Sequence, residues 1–185
     1  VPMLGLFPLI SMFLVTSITM LRERTTGTLE RLLTTPLTKL ELLLGYGIAF
    51  ASVAIVQAVV VSLVGFGLLG LRTEHSEILI MLLAVANAIL GMAFGLFVSA
   101  FARTEFQAVQ FMPAFVFPQI LLCGLFVAQD QMAGWLQAVS SVLPLTYAFD
   151  ALDRAAHEPE LGPRFWADVA VVVSATLLAL VLGAA

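Results

Sequence analysis

Long stretches without a single Asp, Glu, Lys or Arg dominate this chain, at 3–21, 42–71, 78–102, 106–129 and 169–185. Crossing about 30 Å of hydrocarbon takes about 20 residues of helix at about 1.5 Å each, so these stretches have the length of membrane spans. A soluble fold has no use for them. Of 185 residues, 61% are hydrophobic and 11% charged, against about 45–50% and about 25% in soluble domains. The excess would leave apolar patches far larger than soluble monomers expose. The expected fold is all-α: a polytopic transmembrane helix bundle forming a single domain over 1–185, with membrane lipid as its solvent. Five spans are placed at about 3–21, 42–71, 78–102, 106–129 and 165–185.

Charge and cysteine content narrow the partners. Eight basic against twelve acidic residues give a net charge of -4, without the basic face that phosphate neutralisation requires, so nucleic acid is not an expected partner. The lone Cys123 sits in an apolar run and reads as a small buried hydrophobe. The opening 21 residues lack the basic flank and cleavage site of a signal peptide. Because the chain starts at Val1 and ends in an apolar run, it is expected to be a piece of something longer.

A sixth uncharged stretch, 131–149, is interrupted by Pro144 and carries Trp135, Tyr147 and several polar residues. Trp and Tyr favour the headgroup level and a central Pro breaks the backbone ladder, so the region 130–158 is expected to be re-entrant and external. Capping patterns precede the apolar runs. Thr38 to Glu41 and Thr104 to Gln107 fit the capping box, while Ser76–Glu77 and Gly162–Pro163 fit N-cap and N1 pairs. With five spans, loops one and three share one side and hold Arg22, Arg24, Arg31, Lys39 and Arg103, against Arg72, Arg154 and Arg164 on the other. The positive-inside rule puts the first group in the cytoplasm.

The loop over 22–41 is the most informative segment. Within it Leu29, Leu32 and Leu33 fall at i, i+3 and i+4, the pattern of a short amphipathic helix, ended by Pro36 and preceded by Gly27, which frees the chain to turn. Such a helix either passes force from a soluble partner to the two spans it joins or simply floats its leucines among headgroups. Glu23-Arg24-Thr25-Thr26-Gly27-Thr28-Leu29-Glu30-Arg31-Leu32-Leu33-Thr34-Thr35-Pro36 resembles the E-R-x-x-G-T-L-E-x-L-x-x-T-P signature of the ABC type 2 transporter permeases. Downstream, Phe117-Pro118, Cys123-Gly124-Leu125-Phe126, Met132-Ala133-Gly134-Trp135-Leu136 and Leu143-Pro144-Leu145-Thr146-Tyr147 with Ala151 and Arg154 are similar to the same family's external hairpin before its last span. Cys123 replaces the usual Ser, and Val127-Ala128 stands where Pro is common.

The resemblance implies a membrane-spanning permease of an ATP-driven exporter in the cell membrane, multi-pass and not itself an enzyme, with six spans in the parent of which this piece holds five and lacks the first. It implies that 28–34 is a cytoplasmic coupling helix docking on an ATP-binding subunit. Leu29, Leu32 and Leu33 would make apolar contacts, Glu30 and Arg31 polar ones, and Glu23 a charged anchor, with Gly27, Thr28 and Pro36 shaping the loop. Arg103 and Glu105 would form a second, smaller contact, and a second permease copy would complete a homodimer or heterodimer. ATP and Mg would belong to the partner, and no cofactor to this chain. Its only lysine, Lys39, follows Thr38, so no G-x-x-x-x-G-K-[ST] phosphate loop is present.

Within the spans, Gln57, Asn87, Gln110 and Gln119 are candidates for a substrate route, since an amide facing lipid is costly; hydrogen bonds between helices account for them equally well. Gly91, Gly95 and Ser99 make a small-residue face suited either to a dimer contact or to packing within one bundle. Pro113 and Pro118 are expected to bend the fourth span. Two rival readings remain. One is a non-transporting membrane anchor; the other is a membrane enzyme with a metal held by Asp150 and Asp153, although paired carboxylates at helical spacing are ordinary on a solvated helix face. No metal site is expected in the permease reading.

Overall fold

The computed structural model describes residues 2–28, 34 and 39–184, with backbone alone for 39, 40, 42–44 and 184. Seven α-helices and no strands occur among them: α1 Met3–Thr25, α2 Lys39–Leu63, α3 Glu77–Ser99, α4 Glu105–Leu122, α5 Gly134–Ser140, α6 Pro144–His157 and α7 Pro163–Ala184. Among the described residues four helical segments are long and apolar enough to cross a membrane: Met3–Thr25, Gly45–Leu68, Glu77–Ser99 and Pro163–Gly183.

Capping residues set the boundaries as their chemistry dictates. Ser76 is extended and its side chain accepts from the Leu79 N–H at 3.4 Å, and Thr104 accepts from the Gln107 N–H at 3.2 Å. Each hydroxyl thereby satisfies a backbone donor that the first helical turn leaves orphaned. Pro163 opens α7 and Pro144 opens α6, where a missing N–H costs nothing. At its far end α2 widens into a π turn, Val64–Leu68, and the chain reverses at Gly70, whose φ of 62° suits only glycine without strain.

The centre of the bundle is the seam between α1 and α3. The two run parallel: Gly91 lies against the Leu9 carbonyl, Gly95 against the Phe13 carbonyl and Asn87 beside Gly5. A Cβ added at Gly91 would stand 2.2 Å from the Leu9 oxygen, and one at Gly95 2.5 Å from the Phe13 oxygen. Small residues are what allow backbones this close. The face formed by Gly91, Gly95 and Ser99 is thus filled by α1 of the same chain, and the dimer contact considered for it gives way to packing inside the bundle. Ser99 is fully buried and returns its hydroxyl to the Leu96 carbonyl at 2.6 Å.

Around this seam, α2 and α4 run opposite to α1, and α7 runs with α3. Gly183 meets Phe97 near one end of α7 and Phe165 meets Ile80 near the other. Phe115 of α4 stacks on Phe13 at 6.3 Å and meets Phe94 edge-on at 5.1 Å. Most of α1 and α3 is buried, whereas α2 and α7 bury about a quarter of their apolar length. Side chains such as Val56, Leu63, Leu177 and Val181 lie open on their outer faces. Water would not tolerate that surface and lipid does, so the chain is a polytopic helical membrane bundle.

The stretch expected to span over 106–129 is shorter than that. Helix α4 runs unbroken through Pro113 and Pro118 but stops at Leu122, and the chain turns at Gly124 with φ 98°. The reason lies in the next segment, which enters the same layer. Pro144, at the start of α6, lies among Phe94, Phe97, Phe115 and Ala179, deep along α3, while Ala155 near its far end packs with Leu4, Ile80 and Phe165. Helices α5 and α6 therefore form a hairpin dipping into the bundle, and the Ser140 hydroxyl donates to the Leu122 carbonyl at 2.8 Å and pairs with the Thr146 hydroxyl at 3.1 Å.

Candidate functional site

The end of the bundle where α1 and α3 finish and α2 and α4 begin carries Glu23, Gly27, Thr28, Arg103 and Glu105 of the residues singled out for contact with an ATP-binding subunit. It is called the arginine end below. Three threonine contacts close α1. The Thr25 hydroxyl donates to the Leu21 carbonyl at 3.0 Å, and the Thr26 hydroxyl and N–H donate to the Arg22 carbonyl at 2.8 and 2.9 Å. The Arg22 carbonyl is one that the residues of the helix itself leave unpaired, and Thr26 satisfies it. Gly27 then takes φ 74°, the left-handed conformation in which a side chain is strained, so the turn read from the sequence is present. Thr26 and Thr28 share a hydroxyl contact of 2.9 Å. Leu29, Glu30, Arg31, Leu32, Leu33 and Pro36, and Thr38 of the capping box, lie outside the described residues.

The two loops at this end are tied together. Arg22 donates to both carboxylate oxygens of Glu105, Nε to Oε1 at 2.6 Å and a terminal nitrogen to Oε2 at 3.0 Å. A fork-on-fork pair fixes orientation as well as distance. The hydrogen bond from Arg22 also holds the Glu105 carboxyl below the usual carboxylate range. Beside Glu105 the N-cap Thr104 accepts from the Gln107 N–H, and the Gln107 side chain reaches back one residue beyond the cap to accept from the Arg103 N–H at 2.9 Å. Arg103 itself is exposed. Glu23 points the other way, toward α2: its carboxylate interacts with the Tyr46 hydroxyl, and its Oε2 is buried without a hydrogen-bond partner. The arrangement gives the end of α1 two attachments, one to α4 and one to α2.

The four candidate amides do not converge on one cavity. Gln57 donates to the Ser11 hydroxyl and ties α2 to α1. Asn87 is buried where α1, α3 and α6 meet, beside a void of about 20 Å³. Gln119 donates to the Phe115 carbonyl of its own helix at 3.2 Å, and its oxygen is buried without a partner. Gln110 alone is exposed, on the outer face of α4 with Phe106 and Phe117.

At the opposite end lies a polar cluster that sequence spacing did not bring together. Arg154 of α6 donates to Asp168 of α7 at 3.1 Å and to Glu158 at 3.0 Å, and Asp168 is buried. Gln129 donates to Asp150 at 3.4 Å. Burial, with Asp168 close by, raises the Asp150 carboxyl to about 6. Asp153 faces His157 at 3.1 Å instead of joining Asp150. Among the described residues no group of three or more His, Cys, Asp or Glu is placed to hold a metal ion. The cluster reads as a clasp between α6, α7 and the Gln129–Gln131 turn.

Comparison with known proteins agrees with this architecture. The sequence signature described as "ABC-2 type transporter" matches residues 2–155. The "Probable multidrug ABC transporter permease YbhR" of Escherichia coli (strain K12) is 30% identical over 148 residues, which are 80% of this chain and 40% of that protein. YbhS of the same strain, also named a probable multidrug ABC transporter permease, is 29% identical over 140 residues, 75% of this chain and 37% of its own length. The "ABC transporter G family member 20" of Dictyostelium discoideum is 26% identical over 138 residues, 75% of this chain and 19% of its own length. The chain thus spans about two-fifths or less of the relatives it matches.

Proposed function

From the premise that the chain belongs to the ABC-2 type transporter family, we propose that it is the membrane-spanning permease of an ATP-driven exporter. It moves a hydrophobic or amphipathic molecule across the cell membrane and takes its energy from ATP, with Mg, in a separate ATP-binding subunit. The relatives named as multidrug permeases support that class of cargo. The arginine end faces the cytoplasm, following the distribution of Arg22, Arg24, Arg31, Lys39 and Arg103.

The observation that carries this reading is the two-point hold on the end of α1, through Arg22 to Glu105 and through Glu23 to Tyr46. The segment 28–36 leaves from this end and leads into α2, so a push delivered there reaches α1, α2 and α4 together. Helix α1 is packed along its length on α3, which makes the pair a rigid lever, and rigid-body motion of packed helices is how such transporters change the side they open to. A second copy of the permease covers the outer face of α4, where the exposed Gln110 amide would otherwise face lipid.

Leu32→Asp, made in the transporter with its ATP-binding subunit and assayed in proteoliposomes for ATP hydrolysis and dye movement, tests the reading. The expected result is hydrolysis without transport, or loss of the complex. Normal transport by the variant refutes the coupling role.

A further inference from the structure

Between the first turns of α2 and the last turns of α7 lies a cleft of about 360 Å³ whose floor is α1 and α3. Thr16, Met20, Tyr46, Phe50, Met92 and Leu180 line it, and its walls are almost wholly apolar. The Thr16 hydroxyl is buried without a hydrogen-bond partner, and the Tyr46 hydroxyl is directed to Glu23. Apart from the Thr16 hydroxyl, the wall presents no unpartnered polar atom among the described residues. An apolar cleft that opens to its surroundings takes up apolar matter from them in preference to water.

The way in identifies the occupant. Ile48 lines the cleft and is 70% exposed, and helical spacing puts it on the outer side of α2 with the open Val56 and Leu63. That side meets bilayer hydrocarbon in a helix that crosses a membrane. The depth agrees: the lining residues of α1 and α3, Thr16 to Met20 and Ile89 to Leu96, belong to the half of the bundle at the arginine end. We propose that this cleft binds one acyl tail of a phospholipid from the leaflet at the arginine end, wedged between α2 and α7. The site rests on the membrane fold and not on the transport reading, so either can fail without the other.

Phosphatidylcholine carrying a diazirine midway along one tail, at trace level in nanodiscs of phosphatidylcholine holding the intact transporter, tests this after illumination and peptide mass spectrometry. Met20 and Met92 are only 5% and 4% exposed, yet label is expected on both, while Phe13 and Leu90, fully buried elsewhere, stay unlabelled. A Cβ at Gly47 meets nothing within 4 Å, so Gly47→Phe extends into the cleft and is expected to abolish label at Met20 and Met92. Retained label at Val56 and Leu63 shows that the variant is folded, and Ala51→Leu serves as a second filling variant. The proposal is overturned if Met20 and Met92 label no more than Phe13, as a helix seated in the cleft would produce, or if both filling variants leave the labelling unchanged. It is also overturned if a transported dye displaces the label during ATP turnover, which would assign the cleft to cargo.

Discussion

Replacing Gly91 by alanine adds one methyl group at the tightest point of the α1–α3 seam. The new carbon would stand 2.2 Å from the Leu9 oxygen and 2.8 Å from its carbonyl carbon and Cα, all of them backbone atoms that cannot rotate away. Restoring ordinary contact requires the helices to separate by about 1 Å, and a gap of that order forfeits up to about half of each dispersion contact along the seam. Overpacking costs about 1–3 kcal/mol, and an obstacle made of backbone belongs at the upper end. Alanine returns about 1 kcal/mol of helix propensity, leaving a net loss of about 2 kcal/mol, or about 4–8 °C in melting temperature for a chain of this length. Gly45 provides the matched control, since a Cβ there meets nothing within 4 Å in helix α2. Gly45→Ala should therefore be neutral or stabilising by up to about 1 kcal/mol. Thermal unfolding of both variants in the same nanodiscs decides the matter. A Gly91→Ala protein as stable as the parent refutes the close approach of α1 and α3.

Three further expectations follow from the polar contacts. Arg154→Met strands the buried Asp168 carboxylate and should cost about 3–5 kcal/mol by thermal unfolding, whereas adding Asp168→Leu should recover most of the loss; equal instability of single and double variants would contradict the pairing. Asp150 titrates near 6 because burial disfavours its charge, so the folded chain holds that proton more tightly than the unfolded one. Its contribution to stability is complete below about pH 4 and is lost as pH rises through about 6, and melting curves across that range should lose this slope in Asp150→Asn. Exchanging the charges of the fork, Arg22→Glu with Glu105→Arg, should restore coupled transport that either single change impairs, while melting temperature, for a pair this exposed, moves little.

Much of the scaffold was written in the chain at the level of single segments. Charge-free runs mark the spans because lipid excludes ions, and Ser76, Thr104, Gly27 and Pro163 mark their ends because orphan backbone groups need local partners. What escaped depends on which segment meets which. The end of α4 at Leu122 follows from a hairpin that arrives from later in the chain, and no feature of 106–129 announces it except Gly124. The glycines of α3 declare a face but not its partner, which is α1. The four amides share one side-chain chemistry, yet helical direction sends them to different surroundings. Arg154 and Asp168 are fourteen residues apart across a turn, and only the approach of α6 to α7 joins them.

The dipping hairpin places two helix ends of opposite polarity face to face inside an apolar layer. The last carbonyls of α4 carry partial negative charge, the first N–H groups of α6 carry partial positive charge, and Ser140 with Thr146 bridges the space between them. Each end neutralises the other where no solvent is on hand to do so. Withdrawing the hairpin would strand both partial charges in hydrocarbon, which favours α4 and α6 moving as one piece.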